Sequence, residues 1–231
     1  MFTTSARRRD AGLLIVAVFL AVAFFVAPLL IGTGRVAGFP RVFAGYWSSG
    51  AAAFPPDLQR LVDQQFGGHL VRAVIALLLL AVLVVLAVRV RRFAVPIGAA
   101  ALGAAVLLIA SVQGVVSPFG TLLPVLASGP ADAGLAVVLA QARDQLVHGP
   151  VSPALAVMLA EYVRWHVVKA VLVGVLAVVL IGLSVRSWRR FRLVGLLTAA
   201  LAVAALVVVV ANVSTVVEPV PPFLLLLRGS W

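Results

Sequence analysis

Three long apolar stretches of this chain carry the same punctuation. Each opens on an arginine pair (Arg8-Arg9, Arg91-Arg92, Arg189-Arg190) and closes on Val-x-Pro (Val26-Ala27-Pro28, Val116-Ser117-Pro118, Val217-Glu218-Pro219). Two more apolar runs lie between them. The five runs, residues 12–32, 70–88, 94–116, 167–185 and 193–213, each reach the roughly 20 residues that a helix needs to cross a bilayer. A transmembrane barrel is excluded, because its strands alternate over about ten residues instead of staying apolar. The expected fold is all-α: a polytopic membrane helix bundle with five transmembrane helices.

Composition agrees with that reading. The chain is 64% hydrophobic and 11% charged, where soluble domains are about half apolar and about a quarter charged. The net charge of +11 is not a nucleic-acid signal. Its arginines stand in short groups at run ends, whereas a binding face mixes them with aromatics on one solvated surface. Absence of cysteine rules out disulfides, thiol catalysis and thiolate metal sites. A single lysine, Lys169, among abundant Ala, Val and Arg points to a bacterial chain. The first run is longer than a signal peptide's apolar region and lacks a small-x-small cleavage site, so it reads as a retained anchor.

Arginine also sets the expected topology. Segments 1–11, 89–93 and 186–192 hold ten arginines and one acid, Asp10. The remaining segments hold eight basic residues and six acids. Cytoplasmic loops carry the Lys/Arg excess. The N-terminus and both arginine turns are therefore expected inside a bacterial plasma membrane, with the C-terminus outside. Phe93, Trp188 and Phe191 fall at the inner boundary, and Tyr162 and Trp165 at the outer one. Tyr46, Trp47 and Trp231 are expected to join the outer aromatic belt.

The pattern repeats. His69-Leu-Val-Arg72-Ala-Val74 matches His166-Val-Val-Lys169-Ala-Val171, and Pro56-x-Leu58 matches Pro153-x-Leu155 at the same offset. Arg89 and Arg92 then match Arg186 and Arg189, and after a short insertion Pro118 matches Pro219. This predicts a tandem parallel repeat within one membrane domain. Residues 1–33 form an orphan span, 56–118 the first unit, 119–152 an outer linker helix, 153–219 the second unit and 220–231 an outer tail. Leu58, Leu61 and Val62 in one unit, and Leu155, Met158 and Leu159 in the other, fall at helical spacing. They predict short amphipathic helices that lie on the outer face and then turn into the spans. Ala131–Val147 carries a similar stripe, bounded by Gly129-Pro130 and Gly149-Pro150. The outer face should thus be a folded cap.

Few polar groups are left for chemistry. No carboxylate falls at mid-membrane, which disfavours ion-coupled transport. His69/Arg72 and His166/Lys169 stand at i, i+3, so each pair shares a helix face at the outer mouth of a span. Two neutral imidazoles brought together can hold a metal ion or a haem iron, with Arg72 and Lys169 meeting an anionic substrate. His148 and Glu161 are further ligand candidates, with Trp165 beside them. The same residues also read as interfacial anchors whose long side chains snorkel. Gln113, Asn212 and Ser214 form a second set able to hydrogen-bond between helices.

Arg164-Trp165-His166-Val-Val-Lys169 at the start of a span resembles a motif of the anthrone oxygenase-like small membrane proteins. The resemblance covers about a dozen residues; that group has four spans, and its Asn-x-Pro segment has no counterpart near Pro118. It implies cofactor-light oxidation of an aromatic polyketide, with His166 and Lys169 near the substrate. Three functions fit these residues. The first is a non-catalytic membrane subunit or lipophilic-ligand binder that needs no cofactor; its partners are the bilayer and either another membrane protein or a lipophilic small molecule. The second is a membrane oxidoreductase or oxygenase with a metal or haem near His69 and His166. The third is a small permease subunit.

Overall fold

A computed structural model of the chain describes residues 3–30, 38–127, 133–189 and 191–229. Among the described residues every regular element is helical. Five helices are long and apolar enough to cross a membrane: α1 (Thr3–Leu30), α3 (Pro56–Arg89), α4 (Ala94–Val116), α6 (Pro153–Trp188) and α7 (Arg192–Val217). Three shorter ones, α2 (Phe39–Ser49), α5 (Ala133–His148) and α8 (Val220–Arg228), gather at the end opposite the arginine turns. Arg190, Gly129-Pro130 and Trp231 lie outside the described residues.

The long helices form a row. α1 packs on α3, α3 on α4, α4 on α6, and α6 on α7. Two hairpins, α3–α4 and α6–α7, therefore stand side by side with α1 at one edge. Inside the first, Leu79, Leu83 and Leu86 pack on Ala101 and Ala104, with Ala17 of α1. Inside the second, Ala177 and Leu180 pack on Ala202 and Ala205, with Leu102 of α4 reaching in. Small alanines at the contact let helix backbones approach closely, which is how apolar helices associate when lipid is the competing solvent. The outward faces of all five helices are exposed valine, leucine and phenylalanine, a surface that lipid must cover.

Proline ends two of these helices. The residue before a proline is pushed out of the α region by the ring. Ser117, before Pro118, has φ −134° and ψ 70°; Glu218, before Pro219, has φ −130° and ψ 76°. Pro28 behaves differently from its expected role as a stop, because α1 continues through it to Leu30. A proline near a helix end removes only a hydrogen bond that fraying weakens anyway. At the arginine end, Arg89 Nε donates to Asp10 Oδ1 at 2.7 Å, tying α1 to the first hairpin. In the second hairpin Ser184 Oγ donates to the Gly195 carbonyl at 2.8 Å. The turn is tight there: a Cβ at Gly195 would stand 3.0 Å from Trp188 Cε3 and 3.2 Å from Trp188 Cα.

The expected separate outer helices do not turn into the spans. Each is the first part of one continuous rod, 34 residues in α3 and 36 in α6. At 1.5 Å per residue these rods are about 50 Å long, against a hydrocarbon core of about 30 Å. Nothing between Leu58 and His69 forces a bend, and Gly67-Gly68 alone does not break a helix that is held by packing. Both rods start alike. Pro56 and Pro153 take the first helical position, where their missing N–H costs nothing.

The protruding ends build the cap. Leu58 and Val62 of α3, and Ala154, Leu155, Met158 and Tyr162 of α6, pack with α2, α5, α8 and the turn after α4 in one core. Tyr46 and Trp47, expected in an aromatic belt, are instead buried in this core, 0% and 8% exposed. Trp47 Nε1 donates to Gln141 Oε1 at 2.9 Å, and Tyr46 Oη donates to the Ala52 carbonyl at 3.2 Å. Tyr162 is likewise in the core, 4.9 Å from the Phe223 ring. The physical reason is that Phe39, Phe43, Tyr46 and Trp47 share one face of α2. Gly38 (φ +94°) and Gly50 (φ +64°) bound that helix in left-handed conformations open to glycine. The expected tail likewise becomes α8, which buries Phe223, Leu226 and Leu227.

Candidate functional site

Polar side chains concentrate where the cap meets the spans. The cap-side end of α4 sits between α3 and α6 and buries Ser111, Gln113, Gly114 and Ser117. Gln113 and Ser117 are one turn apart, so they share a face. They meet two positions with the same spacing on α6, running the other way. Gln113 Nε2 donates to the Trp165 carbonyl at 3.3 Å. Ser117 Oγ lies 2.8 Å from Glu161 Oε2 and 3.0 Å from the Glu161 carbonyl, and donates its one proton to that pair of acceptors. Gly120 makes room for the hydroxyl, because a Cβ there would collide with Ser117 Oγ. Arg164 Nη1 pairs with the other Glu161 oxygen at 2.5 Å. The carboxylate is thus shared between a seam hydroxyl and a guanidinium.

His69 approaches the neighbouring face of α4. Its ring fills the space that any side chain at Gly114 would take. Its Nδ1 is buried and has no hydrogen-bond partner. Arg72 follows one turn on and is half-buried. His166 is built differently. Its Nδ1 donates to the Tyr162 carbonyl at 2.8 Å, and its ring lies 4.3 Å from Tyr162 and 4.9 Å from Trp165. Lys169 Nζ stands 4.7 Å above the Trp165 ring, a cation–π contact. Phe223, Tyr162, His166, Trp165 and Lys169 thus form one continuous run of tilted, edge-on and cation–π contacts.

The structure therefore brings Gln113, Glu161, Trp165, His166 and Lys169 together, with His69 and Arg72 on the other side of the α4 end. His148 is elsewhere, at the end of α5, with its side chain 73% exposed and Nδ1 3.3 Å from Asp144 Oδ1. Asn212 is buried but spends its amide on the Val208 carbonyl of its own helix at 2.7 Å, and Ser214 bonds Ala211 in the same way. Of the three residues expected to bond between helices, Gln113 alone does so. Among the described long helices α7 packs chiefly on α6, at the edge of the row. Among the described residues no three His, Asp or Glu side chains converge as a metal site requires.

Sequence reasoning missed Ser117, Gly114 and Gly120. The signal available for Ser117 was its i, i+4 spacing from Gln113, matching that of Glu161 and Trp165. Gly114 and Gly120 had none, since their use depends on which side chain lands opposite. Comparisons with protein-family models, curated proteins and solved structures find no match to this chain.

Proposed function

We propose that this is a non-catalytic subunit of a bacterial plasma-membrane assembly, with its arginine turns in the cytoplasm and its cap outside. In this reading the two hairpins are copies of one unit and α1 is an orphan outward span. The observation that carries it is the division of labour in the molecule. The spans present apolar lipid-facing surface, and the seam spends its donors and acceptors on the protein's own backbone and carboxylate. The cap, built from five helices and a turn, is the part with a folded, solvent-facing surface to offer a partner protein. A lipophilic ligand is the other occupant of the same class; the exposed valine face at the cap-side end of α7, Val210, Val213 and Val217, has the matching chemistry.

The cysteine-free sequence allows a direct test of orientation. Ser48→Cys on the cap should react with an impermeant maleimide in intact cells, and Ser187→Cys only after permeabilisation. For the partner, a photo-crosslinker at exposed Val137 or Val147 of the cap should give one discrete adduct, and the same group at lipid-facing Val207 should give none. Diffuse or absent adducts at both cap positions would overturn the subunit reading.

One observation favours the second reading, a membrane oxidoreductase or oxygenase using the His69/His166 region. The buried Nδ1 of His69 lacks a partner, which is rare enough to need an explanation. The local resemblance around Arg164–Lys169 belongs to the same reading. Metal analysis and an absorption spectrum of the purified protein decide it: a colourless, metal-free, folded preparation removes the metal or haem from consideration.

A further inference from the structure

The arginine end is charged well beyond what the protein itself neutralises. Its one acid, Asp10, is taken by Arg89 at 2.7 Å, and Arg92 lies 4.7 Å from the centre of the Phe93 ring. Arg8, Arg9, Arg91, Arg186, Arg189 and Arg192 are exposed and, among the described residues, have no carboxylate partner. They come from three separate chain segments, the start of α1 and the two hairpin turns. The packing of α1 on α3 and of α4 on α6 brings these segments to one end. A guanidinium offers a planar fork of N–H donors that matches two phosphate oxygens.

The surroundings decide which phosphate. Within about one helical turn of these arginines, Val88, Phe93, Val185, Trp188, Phe191 and Leu193 are all exposed, between 48% and 77%. That apolar surface belongs to the lipid boundary, so the phosphates within reach of these arginines are those of lipid headgroups. An amphiphile covers both parts at once. We infer that this end binds anionic phospholipids. Phosphodiester headgroups are held by arginines of both turns, and acyl chains lie on the apolar side chains beneath them. This does not depend on the subunit reading or on which side of the membrane the arginines face.

The test uses the purified full chain in a defined detergent, with native mass spectrometry of lipid retention. Phosphatidylglycerol and phosphatidylcholine of matched chains are titrated in parallel. Phosphatidylglycerol should be retained in strong preference. Each arginine removed should cost about fivefold. The R91Q/R186Q/R189Q variant should therefore lose about a hundredfold of that preference, and R41Q/R143Q in the cap should lose none. Raising salt from about 0.1 M to about 1 M should weaken the wild-type preference, since the screening length falls from about 10 Å to about 3 Å; this arm needs no variant. Equal retention of both lipids, a salt-insensitive preference, or a triple variant that keeps it would overturn the inference. Soluble glycerol phosphate competing as well as the lipid would overturn it too, by showing that the apolar side chains take no part.

Discussion

The two hairpins share a frame and differ in what they do with it. α3–α4 and α6–α7 begin after residues with nearly the same backbone angles, Pro55 (φ −65°, ψ 159°) and Ser152 (φ −66°, ψ 156°). They end before prolines in the same way, and they bury alanines at matching places, Ala101 and Ala104 in one, Ala202 and Ala205 in the other. Even the buried polar residues agree: Ser111 and Asn212 each bond the carbonyl four residues back. The hairpins part at the cap-side ends. α4 is flanked by helices on both sides, and its Gly114 and Ser117 engage α3 and α6. α7 is at the edge, and of the residues in register there, Thr215 bonds Ala211 of its own turn, while among the described residues Glu218 makes no side-chain hydrogen bond to another helix. A position thus acquires its role from its place in the row more than from its place in the pattern.

In the cap the two hairpins should behave alike. Leu58→Ala and Leu155→Ala each empty a fully buried site in the same core. Each should destabilise the protein by about 2–5 kcal/mol, measured by thermal unfolding in detergent. A large cost in only one of them would show that the cap rests on one hairpin. Next comes the point of greatest difference. Gly114→Ala forces the His69 ring off α4 and should cost about 1–3 kcal/mol. Thr215→Ala, in register on the edge helix, should stay within about 0.5 kcal/mol. Combining Gly114→Ala with His69→Ala should recover most of the loss, because the ring is what the added methyl meets.

Smaller effects sharpen the seam. A double-mutant cycle on Ser117→Ala and Glu161→Ala should give a coupling of about 0.6 kcal/mol, the usual size of a hydrogen bond between membrane helices. On the edge helix, a cycle on Glu218→Ala and Ser214→Ala, the positions in register with Ser117 and Gln113, should give a coupling indistinguishable from zero. A similarly small effect is expected for Asp10→Asn. Its pair with Arg89 is partly exposed, and such pairs are worth about 0.2–1 kcal/mol.

The spans were legible because lipid leaves a chain little choice: residues such as Leu79, Leu83 and Leu180 can only sit in a helix that satisfies its own backbone. The arginine turns and the prolines at 118 and 219 were legible for the same local reasons. Pro28 was misread because a proline's effect depends on how much helix follows it. Phe39, Phe43, Tyr46 and Trp47 already had helical spacing, but aromatics near a span are ambiguous between belt and core until a neighbour such as Phe119 or Leu139 is known to cover them. The histidine pairs were conspicuous in the sequence, yet their environments were not. His69 lies on a glycine forty-five positions away, and His166 on a tyrosine one turn back. Contacts between distant segments leave no periodic trace.

The unbroken rods carry one more consequence. α3 and α6 each run without a hinge from the core of the cap to an arginine turn. Such a rod transmits tilt. A rotation of about 5° at one end of a rod about 50 Å long displaces the other end by about 4 Å. A load that rocks the cap would therefore arrive at the far face of the membrane as a shift of the guanidinium groups that follow α3 and α6.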